Sequence, residues 1–98
     1  MPYGNEKIIL NLIVELLLYG STNCHLCDRL TQLIRPHLEK IQRQPGNKPA
    51  VLIKRNIFDN PAWAERYRTR IPVLIVDERV ILEGRPEPEQ VDEAMRNL

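Results

Sequence analysis

The chain has 98 residues, of which 43% are hydrophobic and 28% charged, and its formal net charge is +1. This length is typical of one small domain, which can bury enough apolar surface to form a core without disulfide or metal cross-links. Acidic and basic residues are interspersed, so the sequence indicates neither a nucleic-acid-binding nor a membrane-binding surface. The two cysteines are too few for the disulfide framework of a small secreted domain.

The N-terminal part of the chain is predicted to be a tail over residues 1–11, followed by the domain over 12–98. An apolar run at 12–19 predicts a mostly buried first strand. Asn11 and Glu15 interrupt the N-terminal apolar stretch, and no small-residue cleavage site follows it. We therefore predict neither a secretory signal nor a membrane span, and the expected location is the cytoplasm.

A turn at Gly20–Asn23 separates this strand from a helix predicted from about Cys24 to Gln42. The helix is indicated by apolar residues that recur with a 3.6-residue period, namely Leu30, Leu33, Ile34, Leu38 and Ile41. Pro36 falls inside the helix and predicts a bend upstream rather than an end, because the apolar stripe continues past it.

The rest of the chain alternates strands and helices. We predict a second strand at 50–57, a short helix that Asn60 and Pro61 open, strands at 73–76 and 80–82, and a final helix. The last two strands follow each other closely and should pair in antiparallel fashion, whereas the first two need a parallel crossover. The order β-α-β-α-β-β-α thus predicts an α/β fold whose four-stranded mixed sheet has helices on both faces.

Cys24 and Cys27 stand where the first strand ends and the first helix begins. Two cysteines two residues apart can close a small disulfide ring, and the N-terminus of a helix favours a thiolate. A disulfide that closes so short a loop adds little stability to the fold, so the spacing favours reversible thiol–disulfide chemistry over a permanent cross-link. His25 is either a surface residue or a group whose charged form would lower the pKa of the Cys24 thiol.

A CxxC that opens the first helix of a βαβ unit, with Pro72 ahead of the third strand, resembles the thioredoxin superfamily. The chain is most similar to the short bacterial glutaredoxin-like proteins. These share a Tyr five residues before the first cysteine, here Tyr19, the Asn-Pro that opens the second helix, and the segment Arg70-Ile71-Pro72-Val73-Leu74. The resemblance implies a thioredoxin-like βαβαββα fold and a cis proline at Pro72 beside the CxxC.

The activity that this resemblance implies is thiol–disulfide exchange. Cys24 would attack a target disulfide as a thiolate, and Cys27 would resolve the mixed disulfide. His25 and the backbone N–H of Leu26 would tune the thiolate. Substrate-binding positions are expected on either side of the last two strands, at Arg70, Ile71, Pro72 and Gly84.

Several positions depart from the glutaredoxin pattern. Ser21 stands where glutaredoxins carry a Lys that pairs with glutathione, and Gly84 is followed by Arg85-Pro86-Glu87 instead of an acidic pair. The predicted glutathione site is therefore degraded. Thioredoxins have Trp and a buried Asp where this chain has Asn23 and Leu18, so neither subfamily identifies the redox partner.

The expected partners are protein disulfides or glutathione mixed disulfides, and a cellular reductant that is either glutathione or an enzyme of the thioredoxin-reductase type. We expect a monomer with no cofactor, metal, nucleic acid or membrane partner, although glutathione is a possible co-substrate. The alternative is a non-catalytic module, such as a dimer that shares an iron–sulfur cluster or zinc through the CxxC. Structural zinc within one chain needs four ligands. The candidates here are the two cysteines, His25 and His37, and His37 lies three helical turns down the helix. Zinc held by one chain is therefore not expected.

Overall fold

The computed structural model describes residues 13–46 and 48–98. Its elements, in chain order, are strand β1 (Val14–Gly20), helix α1 (His25–Arg43), strand β2 (Ala50–Asn56), a 3₁₀ turn (Ile57–Asp59), helix α2 (Pro61–Tyr67), strands β3 (Val73–Val76) and β4 (Arg79–Glu83), and helix α3 (Pro88–Arg96). This order confirms the predicted one. The predicted tail at 1–11 lies outside the described residues.

The four strands form one mixed sheet in the order β2-β1-β3-β4. Strand β1 pairs with β2 in parallel and with β3 in antiparallel orientation, and β3 and β4 form an antiparallel pair. Helix α1 supplies the crossover that the parallel pair requires. Strand β1 is an interior strand of the sheet. The turn that follows it therefore places the two cysteines at the C-terminal end of an interior strand.

The two faces of the sheet carry separate cores, as the alternation of side chains along a strand requires. Leu16 and Leu18 of β1 point to the face that α1 and α3 cover. The buried residues on that face are Leu16, Leu18, Leu30, Ile34, Leu38, Ala50, Leu74, Val76, Leu82, Val91 and Met95. The opposite face packs Tyr19, Val73 and Ile75 against Ile57 and the α2 residue Tyr67. The predicted α/β architecture with helices on both faces is thereby confirmed.

Local sequence signals account for where the helices begin and continue. Helix α1 runs through Pro36 without ending, as predicted, and the proline is exposed. Helix α2 begins with Pro61 after an N-cap at Asn60, whose side-chain oxygen accepts the N–H of Ala62 at 2.9 Å. In the part of the chain that the structure describes, no helix has both the length and the apolar character needed to cross a membrane.

Candidate functional site: a disulfide at the start of helix α1

Cys24 and Cys27 form a disulfide whose Cα atoms lie 5.2 Å apart. Cys24 is the N-cap of α1, and its sulfur accepts a hydrogen bond from the backbone N–H of Cys27 at 3.1 Å. The two residues differ in burial, because Cys24 is half-buried whereas Cys27 is only 8% exposed. Cys24 is therefore the more exposed of the two residues, and a backbone N–H is directed at its sulfur.

The segment between β1 and α1 adopts the conformation that brings the cysteines into this position. Asn23 has a φ of 57°, in the left-handed region that Asn tolerates better than most residues. Gly20, the last residue of β1, lies directly against Cys27, since a Cβ built on it would come within 2.8 Å of the Cys27 sulfur. Sequence reasoning treated Gly20 only as part of a turn, and its close approach to Cys27 became visible only in the structure.

The predicted thiolate-tuning residues, His25 and Leu26, lie in the first turn of α1 between the two cysteines. Both are exposed, Leu26 to 38%.

Three of the predicted substrate-binding residues lie together next to the start of β3. Pro72 is fully buried and follows a cis Ile71–Pro72 peptide bond. The Pro72 carbonyl accepts the N–H of Gly84 at 2.8 Å, which joins the start of β3 to the loop after β4. The N–H of Ile71 is already donated to the Tyr67 carbonyl at 3.1 Å. The main-chain group of Ile71 that remains for a substrate is therefore the Ile71 carbonyl.

The fourth predicted substrate contact, Arg70, is bound to a carboxylate of the same chain. Its Nε and one terminal nitrogen donate to the two oxygens of Glu83 at 3.0 and 3.3 Å, and its guanidinium lies 5.5 Å from the centre of the Tyr67 ring. These hydrogen bonds lower the pKa of the Glu83 carboxyl and raise the pKa of the Arg70 guanidinium. A substrate anion at Arg70 would have to compete with Glu83.

Behind this segment an aromatic cluster supports the face of the sheet opposite α1. The Tyr19 ring lies 5.4 Å from Trp63 and 4.7 Å from Tyr67. Arg55 donates to the Tyr19 hydroxyl at 2.8 Å and lies 5.1 Å from the centre of the Trp63 ring. Sequence reasoning missed Arg55, which the β1–β2 register places beside Tyr19.

A groove of about 300 Å³ reaches Cys27 from the β2 side of the fold. Its walls include Gly20, Cys27, Thr31 of α1 and the β2 residue Lys54, but neither Cys24 nor Pro72. The hydroxyl of the buried Thr31 is directed to the Cys27 carbonyl, to which it donates at 2.9 Å. No sequence signal predicts this groove, because the groove depends on the position of Gly20 against helix α1.

Metal ligands are sparse around the disulfide. Over residues 13–46 and 48–98, no three His, Cys, Asp or Glu side chains are grouped so that they could hold a metal ion. Cys24 and Cys27 offer two sulfurs, and these are bonded to each other.

Comparison with known proteins places this geometry in a family. Residues 15–96 match the family model of the glutaredoxin-like domain (DUF836). A germline-specific thioredoxin of Drosophila melanogaster, Deadhead, superposes with a TM-score of 0.60 at 18% identity, covering 98% of this chain and 90% of its own. A malarial protein superposes with a TM-score of 0.57 at 13% identity, covering 87% of this chain and 96% of its own. None of the curated protein sequences matches the chain.

Proposed function

The chain belongs to the glutaredoxin-like domain family and has a thioredoxin-like fold, and from this we propose that it is a thiol–disulfide oxidoreductase. The observation that carries the proposal is the unequal setting of the two sulfurs. Cys24 is the more exposed one and accepts a backbone N–H at the start of a helix, whereas Cys27 is buried one turn further on. Such a setting favours a thiolate at Cys24.

In the reduced protein, Cys24 would attack a disulfide of the target as a thiolate. A bond forms between Cys24 and one target sulfur, and the other target sulfur leaves as a thiolate that takes a proton from water. The Cys27 thiol then loses its proton and displaces the target from Cys24. The target disulfide is reduced to two thiols, and the protein is left with its Cys24–Cys27 disulfide.

The segment around Pro72 is the proposed contact for the target chain. The Ile71 carbonyl, Pro72 and Gly84 lie together there, and Arg70 is held beside them by Glu83. An extended target chain could use the Ile71 carbonyl as an acceptor for one of its own backbone N–H groups. We propose protein disulfides as the substrate class on this basis.

A matched pair of cysteine variants tests the proposed roles. The assay is the reduction of insulin by dithiothreitol, with trapping of mixed disulfides followed by mass spectrometry. Cys27→Ser should accumulate a mixed disulfide with insulin at Cys24, because the resolving thiol is missing. Cys24→Ser should form none with insulin and should lose turnover. Turnover that survives in Cys24→Ser would refute the assignment of the attacking cysteine.

The reductant is proposed from the residues that replace the usual glutathione contacts. Ser21, Arg85 and Glu87 stand at those positions, so we propose weak activity in a glutathione-coupled assay relative to a typical glutaredoxin. Activity equal to that of a typical glutaredoxin would show that other residues rebuild the glutathione site. The absorption spectrum and solution mass of the purified protein would detect the alternative, a dimer that shares a metal cluster.

A further inference from the structure

The ion pair between Arg70 and Glu83 lies beside the segment that is the proposed contact for a target chain. Arg70 directly precedes Ile71, whose carbonyl is the proposed acceptor for a target N–H. Glu83 stands opposite Val73 in the β3–β4 register, and the residue after Glu83 donates its N–H to the Pro72 carbonyl at 2.8 Å. Both charged side chains therefore start from backbone positions next to the place where a target would bind.

Glu83 occupies the edge of the Arg70 guanidinium that an acidic residue of a target would use. The Arg70 Nε and one terminal nitrogen donate to different oxygens of Glu83, at 3.0 and 3.3 Å. This two-point arrangement is the strongest way in which an arginine binds a carboxylate. The guanidinium also lies 5.5 Å from the centre of the buried Tyr67 ring. An acidic target residue would thus meet an arginine that is already bound to a carboxylate.

The pair is nevertheless open to solvent and to an approaching chain. The Arg70 side chain is 37% exposed and the Glu83 side chain is 45% exposed. Their opposite charges are close together, so the pair has little net effect on a charge that lies further away. Among the described residues, Glu83 is the only carboxylate within ion-pair distance of Arg70. Loss of the Glu83 charge would therefore leave Arg70 as an unpaired, partly exposed cation beside the target contact.

We propose that Glu83 determines the charge preference of the target site, because it occupies Arg70 and prevents it from binding acidic residues next to a target cysteine. The proposal rests on the proposed thiol–disulfide exchange and concerns which peptide chains react, not how they react. The target disulfide is still reduced to two thiols while the Cys24–Cys27 dithiol becomes a disulfide. With the pair intact, acidic residues in the target gain little. Without the Glu83 charge, the freed Arg70 favours acidic targets.

Two matched peptide disulfides test the proposal. Each is the homodisulfide of an N-acetylated, C-amidated peptide Ala-X-Cys-X-Ala, in which X is either Glu or its neutral isostere Gln. The reduced protein is mixed with each peptide disulfide, and the rate at which the Cys24–Cys27 disulfide forms is measured by acid quench and mass spectrometry. Each rate is divided by the rate of dithiothreitol with the same peptide, which removes differences in the reactivity of the peptides themselves.

The quantity to compare is the ratio of the Glu-peptide rate to the Gln-peptide rate in each variant. Glu83→Gln should raise this ratio about two- to fivefold over the wild-type value, the range for a partly exposed charge pair. Adding Arg70→Gln to Glu83→Gln should return the ratio to the wild-type value, because the freed guanidinium is then absent. The increase should shrink in high salt, which screens exposed charges.

A control variant removes the same charge at a distance from the site. Glu78 is exposed in the turn at the far end of the β3–β4 hairpin and makes no ion pair within the described residues. Glu78→Gln should therefore leave the ratio unchanged. Because the ratio compares two peptides on one protein, a general loss of activity in a variant cancels from it.

An unchanged ratio in Glu83→Gln, or an increase that survives the addition of Arg70→Gln, would overturn the proposal. An equal increase in Glu78→Gln would also overturn it, since net charge alone would then explain the effect. Failure of the proposed function gives a different result. If the wild-type protein reduces both peptides without any dependence on Glu83, only the charge preference is refuted. If it reduces neither peptide, both proposals are refuted.

Discussion

Replacement of Gly20 by alanine tests how closely β1 approaches the disulfide. The added Cβ would lie 2.8 Å from the Cys27 sulfur and 3.4 Å from the Cys27 Cβ. The first distance is shorter than a real Cβ contact, and Cys27 cannot swing away because it is buried and disulfide-bonded. Overpacking of this kind costs about 1–3 kcal/mol, so Gly20→Ala should lower the free energy of unfolding of the oxidised protein by that amount.

The same substitution should have the opposite sign when the sulfur is removed. In a Cys24→Ala/Cys27→Ala background, the nearest remaining contact of the new Cβ is the Cβ of residue 27 at 3.4 Å, an ordinary distance. Gly20 belongs to a strand and its φ is not positive, so alanine fits its backbone. Alanine then restricts the unfolded chain, and we expect a gain of about 0.4–1 kcal/mol.

Urea denaturation of the four proteins in this double-mutant cycle measures both effects. The unfolding free energies should differ in sign between the two backgrounds, and the slope against urea should stay constant. An equal loss in both backgrounds would show that the cost arises elsewhere in β1. No loss in the oxidised protein would refute the contact itself.

Three further predictions concern the cysteines, a helix cap and a surface ion pair. Cys24 should be alkylated faster than Cys27 and titrate below an ordinary thiol pKa of about 8.5, measured as alkylation rate against pH; a faster Cys27 would contradict the assigned roles. Asn60→Ala should cost about 1 kcal/mol in urea denaturation, because it removes the cap of α2; an unchanged midpoint would mean that the cap contributes nothing. The lowered pKa of Glu83 implies a small stabilisation that is present above the pKa of the unfolded chain and is lost as the pH falls through the folded pKa. Glu83→Gln should therefore be less stable than the wild type near neutral pH but not at pH 2, and a difference that persists at pH 2 would have another cause.

Much of the fold could be predicted because its signals are local. The 3.6-residue period of α1 and the Asn60-Pro61 start of α2 each depend on residues close in sequence, and the structure has both elements. The parallel β1–β2 pair followed from the length of the crossover between them. The resemblance to glutaredoxin-like proteins, which rested on the CxxC and Pro72 together, is confirmed by the family match over residues 15–96.

The surroundings of the disulfide could not be predicted in the same way, because they depend on contacts between distant segments. Glu83 meets Arg70 only because β4 returns beside the start of β3. Lys54 reaches the groove because the parallel register puts it beside Leu18. Nothing in the one-dimensional pattern distinguishes these charges from those on any solvated face.

The asymmetry around the disulfide supports the proposal of a reactive pair over that of a structural cross-link. A bond that closes so short a loop restricts the unfolded chain less than a bond between distant residues would. A permanently oxidised Cys24–Cys27 bond would therefore add little to the stability of the fold. The backbone N–H directed at Cys24 and the glycine beneath Cys27 instead give the two sulfurs different environments. Stabilisation of the Cys24 thiolate by this N–H matters only when the bond is broken and formed again, as the proposed exchange reaction requires.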